Sequence, residues 1–530
     1  MTEDQLKSIV EYIQSKGIDA VCRSSGVISF YLFIEGKKYE AECVLGYGFP
    51  YELPEIYATD ELFEIIKKIP HVSYWKNICT FDKETMLPNF ESPEDLVYEC
   101  IKKAINVINN GITEKNEADY IDESLAYWGN QKNLNHMLMI GRTDEYVDDF
   151  WYSEDTIAPR KDLLNDSCKH GIILHTSFIF KGNYNFFNFL QKALNESNRD
   201  KLSLYIGGNI ASSHIFLVKN TIDRRSVFYC LKTPTFIDNI NGFRRGKANI
   251  LIACSFNKSK EFEPIILDNA TQDYLYTRGG TGLKIEKTSA TIVGCGSFGS
   301  YLSEFLMEYG FDKFTFIDND CITTDNIARH LCGHSWLNKK KAIAVGANLK
   351  NHNPNISFSS YSNDVHEIIN EKLSILNSND YIFLCVGHLG TEKRVFDLAH
   401  NGSITKPIII IWAEPYCVAC HAVIINNQAE CFSLLYDSNL HFTNNVILNS
   451  DSFYKRESGC RSTYIPYSSY MIKHFLLDFL YWFLETDRCQ LDNYLFTWIG
   501  DLKIADRIGA KVSDEFSTCN SFTSIIRKIS

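Results

Sequence analysis

The apolar positions of this chain change period along its length. From Gln5 to Lys16 they fall at Leu6, Ile9, Val10 and Ile13, the spacing of one helix face. Two strand-like runs come next, Val27 to Ile34 and Lys38 to Val44. In GYGFPYELPEIY, Pro50 and Pro54 bracket a bend into a further strand, and Pro93 to Ile108 returns to helical period. Glu114 to Asp122 is polar and reads as a linker. The middle of the chain mixes strand-like runs, at Gly171 to Phe180, Leu202 to Gly207, Ser213 to Val218 and Ala248 to Cys254, with a helix around Phe186 to Asn195. Later, Ala290 to Val293 is a short apolar run of the buried parallel-strand kind, and Lys313 to Ile317 is a second. A helix from Tyr301 to Tyr309 lies between them, stopped by Gly310. Tyr381 to Val386 and Lys406 to Trp412 predict two more strands; the latter is apolar and β-branched enough to be buried on both faces. Met471 to Leu484 predicts a helix, and the stretch after Thr486, with YLFTWIGD, a terminal hairpin.

The strand from Ala290 runs straight into GCGSFG, with Gly294, Gly296 and Gly299 in a G-x-G-x-x-G pattern. Glycine there permits a tight turn and close approach of backbone to a ligand. Asp318, at the end of the next strand, would suit the ribose of a dinucleotide equally well. The residues beyond Asp318 separate a dinucleotide site from a triphosphate site. Asp320, Asn326, Arg329 and Lys341 continue as D-x-D-x5-N-x2-R and then Lys-Ala. A dinucleotide site has no need of an amide, a guanidinium and an ammonium beyond its second strand; a triphosphate does, because Arg and Lys pair with phosphate oxygens.

Length and charge narrow the class. A chain of 530 residues holds about three to four domains. A net charge of −12 argues against a general binder of nucleic acid or of membrane surfaces, so no direct contact with either is expected. The 17 cysteines are scattered and the first residues have no apolar core of the secretory type, which points to free thiols in a reducing cytoplasm. The apolar stretch Phe475 to Leu484 is broken by Asp478 and is too short to span a bilayer. Most of the thiols read as packing residues. The pair Cys417 and Cys420 has no second C-x-x-C to complete a zinc site and reads as packing too. No metal ligands are assigned. Arg244, Arg245 and Lys247 read as solvated surface.

The set from Gly294 to Lys341 resembles the ThiF and E1 (ubiquitin-activating) adenylyltransferase family. The order helix, meander, proline-bracketed turn, His71, Cys79, helix resembles the ubiquitin-conjugating (E2) fold, through its F-P-x-x-x-P and H-x7-C elements. It departs at the loop, where His71-Val72-Ser73 stands in place of the family's His-Pro-Asn. KRESGCRSTYIPYS, around Cys460, resembles the acceptor-cysteine loop of bacterial E2–E1 fusions, and Lys455, Arg456 and Arg461 would favour its thiolate. The combination resembles the E2–E1 fusion proteins of bacterial CBASS antiphage operons.

That resemblance implies a multidomain α/β and α+β chain. Residues 1–115 would be an E2-like α+β domain, 116–285 a middle domain of unknown role, and 286–530 a Rossmann-like E1/ThiF adenylation domain. It implies ATP with Mg²⁺, nucleotide binding by Gly294, Gly296, Gly299, Asp318, Asp320, Asn326, Arg329 and Lys341, and catalytic thiols at Cys460 and Cys79. Family members carry an Asp for magnesium after the strand that here ends at Val386; Gly387 and His388 stand there instead. Phosphates and water would then carry most of the metal shell, helped by Asp320. The implied substrate is the C-terminus of a cGAS-like nucleotidyltransferase, the acceptor an amine of a target protein, and the assembly a homodimer to which Arg278 contributes. Two other readings stay open: a ThiF-like activator for sulfur transfer or peptide modification, and a degenerate nucleotide-binding scaffold.

Overall fold

The computed structural model describes residues 3–24, 26–81, 86–115, 117–123, 125, 128, 135–164, 167–178, 195–207, 212–222, 225–233, 263–280, 282, 286–426, 431–456, 463–486 and 492–529. The chain divides into two compact units, Met1–Met139 with Asp144–Asn269, and Ile140–Thr143 with Ala270–Ser530.

The first unit opens with the helix Glu3–Ser15, which buries Leu6, Ile9, Val10 and Ile13, the face its sequence spacing marked. Next is a five-stranded antiparallel meander: β1 (Ala20–Ser24), β2 (Val27–Ile34), β3 (Lys37–Val44), β4 (Glu55–Ala58) and β5 (Asn77–Ile78). The helix Pro93–Ile112 starts on a proline, whose missing N–H costs nothing in a first turn. It packs Val97, Ile101, Ala104 and Ile108 into the same core. Gly111 lets it approach Ile69 so closely that an added Cβ would stand 2.6 Å from the Ile69 Cβ.

The polar stretch read as a linker contains a helix, Glu117–Asp122. Tertiary burial overrides its local polarity: Tyr120 is buried, and its hydroxyl donates to the Gly111 carbonyl at 3.4 Å. A closed barrel then forms from β6 (Asn135–Met139), β7 (Asp149–Tyr152), β8 (Thr156–Ala158), β9 (Lys169–Thr176), β10 (Ile215–Ile222), β11 (Arg225–Lys232) and β12 (Glu263–Asn269). Closure removes the exposed edges that an open sheet of this size would carry. Leu202 to Gly207 is not a strand; it is the end of the helix Glu196–Gly207, which buries Leu202 and Ile206, one turn apart. The runs expected at Phe186 to Asn195 and Ala248 to Cys254, and the basic loop of Arg244, Arg245 and Lys247, fall on or run into residues outside those described.

The second unit is built on one sheet. Its strands are β13 (Ser289–Val293), β14 (Lys313–Ile317), β15 (Ser357–Tyr361), β16 (Tyr381–Leu384), β17 (Ile408–Ala413) and β18 (Ala419–Ile425). The short pair β19 (Lys455–Arg456) and β20 (Thr463–Tyr464) is separate, and β21 (Tyr494–Ile499) and β22 (Thr523–Lys528) complete the main sheet. The order is β15-β14-β13-β16-β17-β18-β21-β22, parallel as far as β17 and antiparallel beyond it. The helices Ser297–Tyr309, Lys341–His352 and Ser469–Glu485 cover one face, and Val365–Glu371, Leu389–His400 and Cys431–Leu435 the other. Burial on both faces is why Ile408 to Ile411 could be four consecutive isoleucines. The final two strands pair antiparallel as a hairpin would, but the helix Leu502–Ile508 lies between them. Asp478, the one charge in its apolar helix stretch, accepts from the Trp498 indole at 2.7 Å. Among the described residues, no helix is long and apolar enough to cross a membrane.

Candidate active site

β14 and β15 leave β13 to one side and β16 leaves it to the other, so a crevice opens beyond the carboxyl ends of β13 and β16. The glycines fall there. Gly294, first after β13, has φ +87°, and a Cβ on it would stand 2.8 Å from the Cys385 carbonyl oxygen. A Cβ on Gly299 would lie 2.0 Å from the Gly294 carbonyl oxygen. These two are needed by the fold itself. Gly296, which opens the helix Ser297–Tyr309, has nothing within 4 Å of where its Cβ would be. That space, facing unpaired N–H groups at a helix N-terminus, suits an anion.

Asp318 directly follows β14 and clasps the turn. Its Oδ2 accepts from the Cys295 N–H at 2.7 Å and its Oδ1 from the Asp320 N–H at 2.8 Å. Burial pushes its carboxyl above the usual range, opposed by Lys341 and these two N–H groups. Lys341, itself buried, reaches the Asp320 carboxylate at 2.8 Å. Asn326 is partly committed to local structure: its Oδ1 accepts from the Thr323 N–H at 3.0 Å, capping the short helix Thr324–Arg329. At the end of that helix the Arg329 guanidinium lies 4.6 Å from the centroid of the Tyr467 ring. The Tyr467 hydroxyl is 3.3 Å from Ser297 Oγ, in the first turn of the glycine-motif helix. Gly294, Gly296, Gly299, Asp318, Asp320, Asn326, Arg329 and Lys341 are thereby gathered at one end of the sheet.

Two further residues join the site that sequence pattern did not single out. Tyr467 sits inside the quoted IPYS element, but only its contacts show that it bridges Arg329 to Ser297. His330 is buried and its Nδ1 accepts from the Cys332 N–H at 3.0 Å, so its Nε2 carries the hydrogen and donates to the Cys295 carbonyl at 2.8 Å. Burial lowers its affinity for a second proton. Its place directly after Arg329 in the sequence was the available signal.

In the first unit, Cys79 comes directly after β5 and is exposed. Its N–H donates to the His71 carbonyl at 2.7 Å. Cys43, Cys100, Cys230, Cys295, Cys332, Cys417, Cys420 and Cys431 are buried, as packing cysteines should be. Burial pushes Cys100 up to about 11 and Cys332 to about 12, where thiolate is scarce at neutral pH. Cys79 lines a cleft of about 590 Å³ with His71, Asn77, Asn106, Asp119 and Glu123. His71 Nδ1 lies 2.5 Å from Glu123 Oε1 and Nε2 lies 3.4 Å from Asp119 Oδ2, so the helix Glu117–Asp122 and the residue directly after it fix the ring. Cys460 and Arg461 lie outside the described residues, in sequence between the paired strands β19 and β20.

Geometry and sequence comparison now agree on the class. Residues 275–461 match the ThiF family and residues 13–137 match prokaryotic E2 family B. The chain thus carries a region that matches a prokaryotic E2 family ahead of one that matches the ThiF family, the domain order of an E2–E1 fusion. It is 25% identical over 217 residues to the ATP-dependent ubiquitin transferase-like protein Cap2 of Pseudomonas aeruginosa, covering 40% of this chain and 38% of that protein. Cap2 of Vibrio cholerae is 22% identical over 223 residues, with 40% and 38% covered. The adenylyltransferase and sulfurtransferase MOCS3 of Xenopus laevis is 29% identical over 145 residues, with 27% and 31% covered. The matched region thus spans about two fifths of the Cap2 relatives, 38% of each. The fusion architecture expected from the sequence is borne out by these matches.

Proposed function

We propose that this chain activates a protein C-terminus with ATP and passes it through two thiols to an amine. The observation that carries the reading is the glycine turn of β13, clasped by Asp318 at the switch point of the sheet. The substrate carboxylate attacks the α-phosphorus of ATP and pyrophosphate leaves, giving an acyl-adenylate. Gly296 leaves room for the nucleotide. Asp318, oriented by two N–H groups, accepts from ribose hydroxyls. Asn326, Arg329 and Lys341 stabilise the charge that develops on the phosphates. Asp320 is already engaged by Lys341, so Mg²⁺ arriving with the nucleotide would draw its ligands chiefly from phosphate oxygens and water.

The Cys460 thiolate then displaces AMP to form a thioester, and Cys79 takes the acyl group by transthiolation. Tyr467, seven residues beyond Cys460 in the sequence, stands at the nucleotide crevice, which supports this thiol as the first acceptor. An amine of a target protein attacks the Cys79 thioester, the C–S bond breaks, and the amine's proton ends on the released Cys79 sulfur, leaving an amide on the target. The substrate this reading favours is the C-terminus of a cGAS-like nucleotidyltransferase, in bacterial antiviral defence of the CBASS kind, and the setting is the cytoplasm.

The test is substrate-dependent exchange of pyrophosphate into ATP. Asp318→Ala and Arg329→Ala are each expected to slow exchange about 100-fold or more while the chain stays folded. Exchange at the wild-type rate in either variant would refute the site.

A further inference from the structure

We propose that His388 is a phosphate-binding hydrogen-bond donor of the nucleotide crevice, held in one ring tautomer by Arg394 acting through His366 and Thr391. The inference rests on the nucleotide reading and assigns a further residue to that site.

The position comes from the sheet. β16 is the strand beside β13 at the switch point, and its continuation, Cys385 and Val386, packs directly on Gly294. Gly387 then turns the chain with φ +60°, and the exposed His388 caps the helix Leu389–His400. Two helices of at least twelve residues, this one and Ser297–Tyr309, therefore begin at the ends of adjacent strands, and both present positive ends there. Gly390 keeps the histidine ring unobstructed; a Cβ on it would stand 3.1 Å from the His388 Cε1.

The tautomer is set by the hydrogen-bond directions. A guanidinium donates and cannot accept. Arg394 Nη1 is 2.9 Å from His366 Nδ1, so that nitrogen accepts and the His366 hydrogen is on Nε2. His366 Nε2 is 3.1 Å from Thr391 Oγ1, which accepts it and turns its own hydrogen to His388 Nδ1 at 3.0 Å. The Thr391 N–H donates to the same nitrogen at 3.2 Å. Two donors thus share the one lone pair of His388 Nδ1, and the ring hydrogen is on Nε2, which has no hydrogen-bond partner among the described residues. Asn370 holds the far side of the Arg394 guanidinium, and Asp364 Oδ1 accepts from the His366 N–H at 2.7 Å. An Nε2–H fixed in this way donates to a phosphate oxygen and does not ligate a metal through that nitrogen.

Equilibrium binding of ATP and of adenosine to the full chain tests this. His388→Asn keeps a helix-capping acceptor and shortens the donor. It should weaken ATP binding roughly 10- to 100-fold, the range for a hydrogen bond to a charged group, and leave adenosine binding unchanged. In ring-labelled protein, ¹H–¹⁵N spectra should show His388 as the Nε2–H tautomer, and Arg394→Met, which leaves only the longer Thr391 N–H contact to hold Nδ1, should admit some of the other tautomer and weaken ATP binding while sparing adenosine. Wild-type ATP affinity in His388→Asn, or an Nδ1–H tautomer in the parent chain, would overturn the proposal and leave the nucleotide site standing. A parent chain that bound neither ATP nor adenosine would overturn both.

Discussion

His71 shows how one side chain takes its state from its neighbours. Its hydrogen bond to Glu123 raises its pKa, with the charges of Glu123 and Asp119 adding to the effect and burial opposing it. The folded-state pKa therefore lies above that of the unfolded chain, about 6.5. The stabilisation is fully present below pH 6.5 and is lost as pH rises through the folded-state value. A titration of the His71 ring resonances should give a midpoint above 6.5, and Glu123→Gln should bring it down. A midpoint at or below 6.5 in the parent chain would mean the clasp does not exist in solution. The sequence marked His71 as a loop residue near Cys79, but its acidic partners are 48 and 52 residues away and carried no local signal.

At the scale of the element, the glycine turn joins two demands that separate experimentally. Gly299 serves packing: its Cβ would meet backbone at 2.0 Å, and backbone cannot swing aside as a side-chain tip can. Gly299→Ala should cost about 1–3 kcal/mol and lower the melting midpoint by several degrees. Gly296 meets no such packing demand: there is room for a methyl group and its φ is −78°, and the proposed function gives that space to the nucleotide. Gly296→Ala should melt within a degree or two of the parent while losing ATP affinity, read by calorimetry and by nucleotide binding. Equal melting points for the two variants would contradict this division. Sequence pattern alone treats the two glycines alike. The same limit explains Leu202 to Gly207, where a short apolar run fits a strand as well as the end of a helix, and only the residues from Glu196 onward, folded as one helix, decide.

For the whole molecule, the proposal concerns order: Cys460 acts before Cys79. Cys460 belongs by sequence to the chain region that carries the adenylation site, and Cys79 to the other compact unit. Exchange between thioesters is close to thermoneutral, so the second step depends on proximity, which fusion in one chain raises. Cys79→Ala should still form one thiol-sensitive adduct, at Cys460. Cys460→Ala should exchange pyrophosphate yet load neither thiol. Non-reducing gels with and without added thiol read both. Loading of Cys79 at near the parent rate in Cys460→Ala would replace the relay by direct transfer from the adenylate.

The sequence by itself determined what is local. The period of the apolar residues placed the first helix, the meander and the strands around the glycine motif, because burial on one face or two leaves its period in the chain. The spacing from Gly294 to Lys341 and the H-x7-C element marked the two candidate centres, because consecutive turns set their geometry. Only the tertiary structure decided what depends on distant partners. It closed the middle strands into a barrel, folded the polar stretch near Tyr120 onto Gly111, and brought Tyr467 to Arg329 and Glu123 to His71. It also set the direction of the hydrogen bonds from Arg394 to His388, since a ring tautomer is chosen by whichever donors and acceptors the folded chain brings to it.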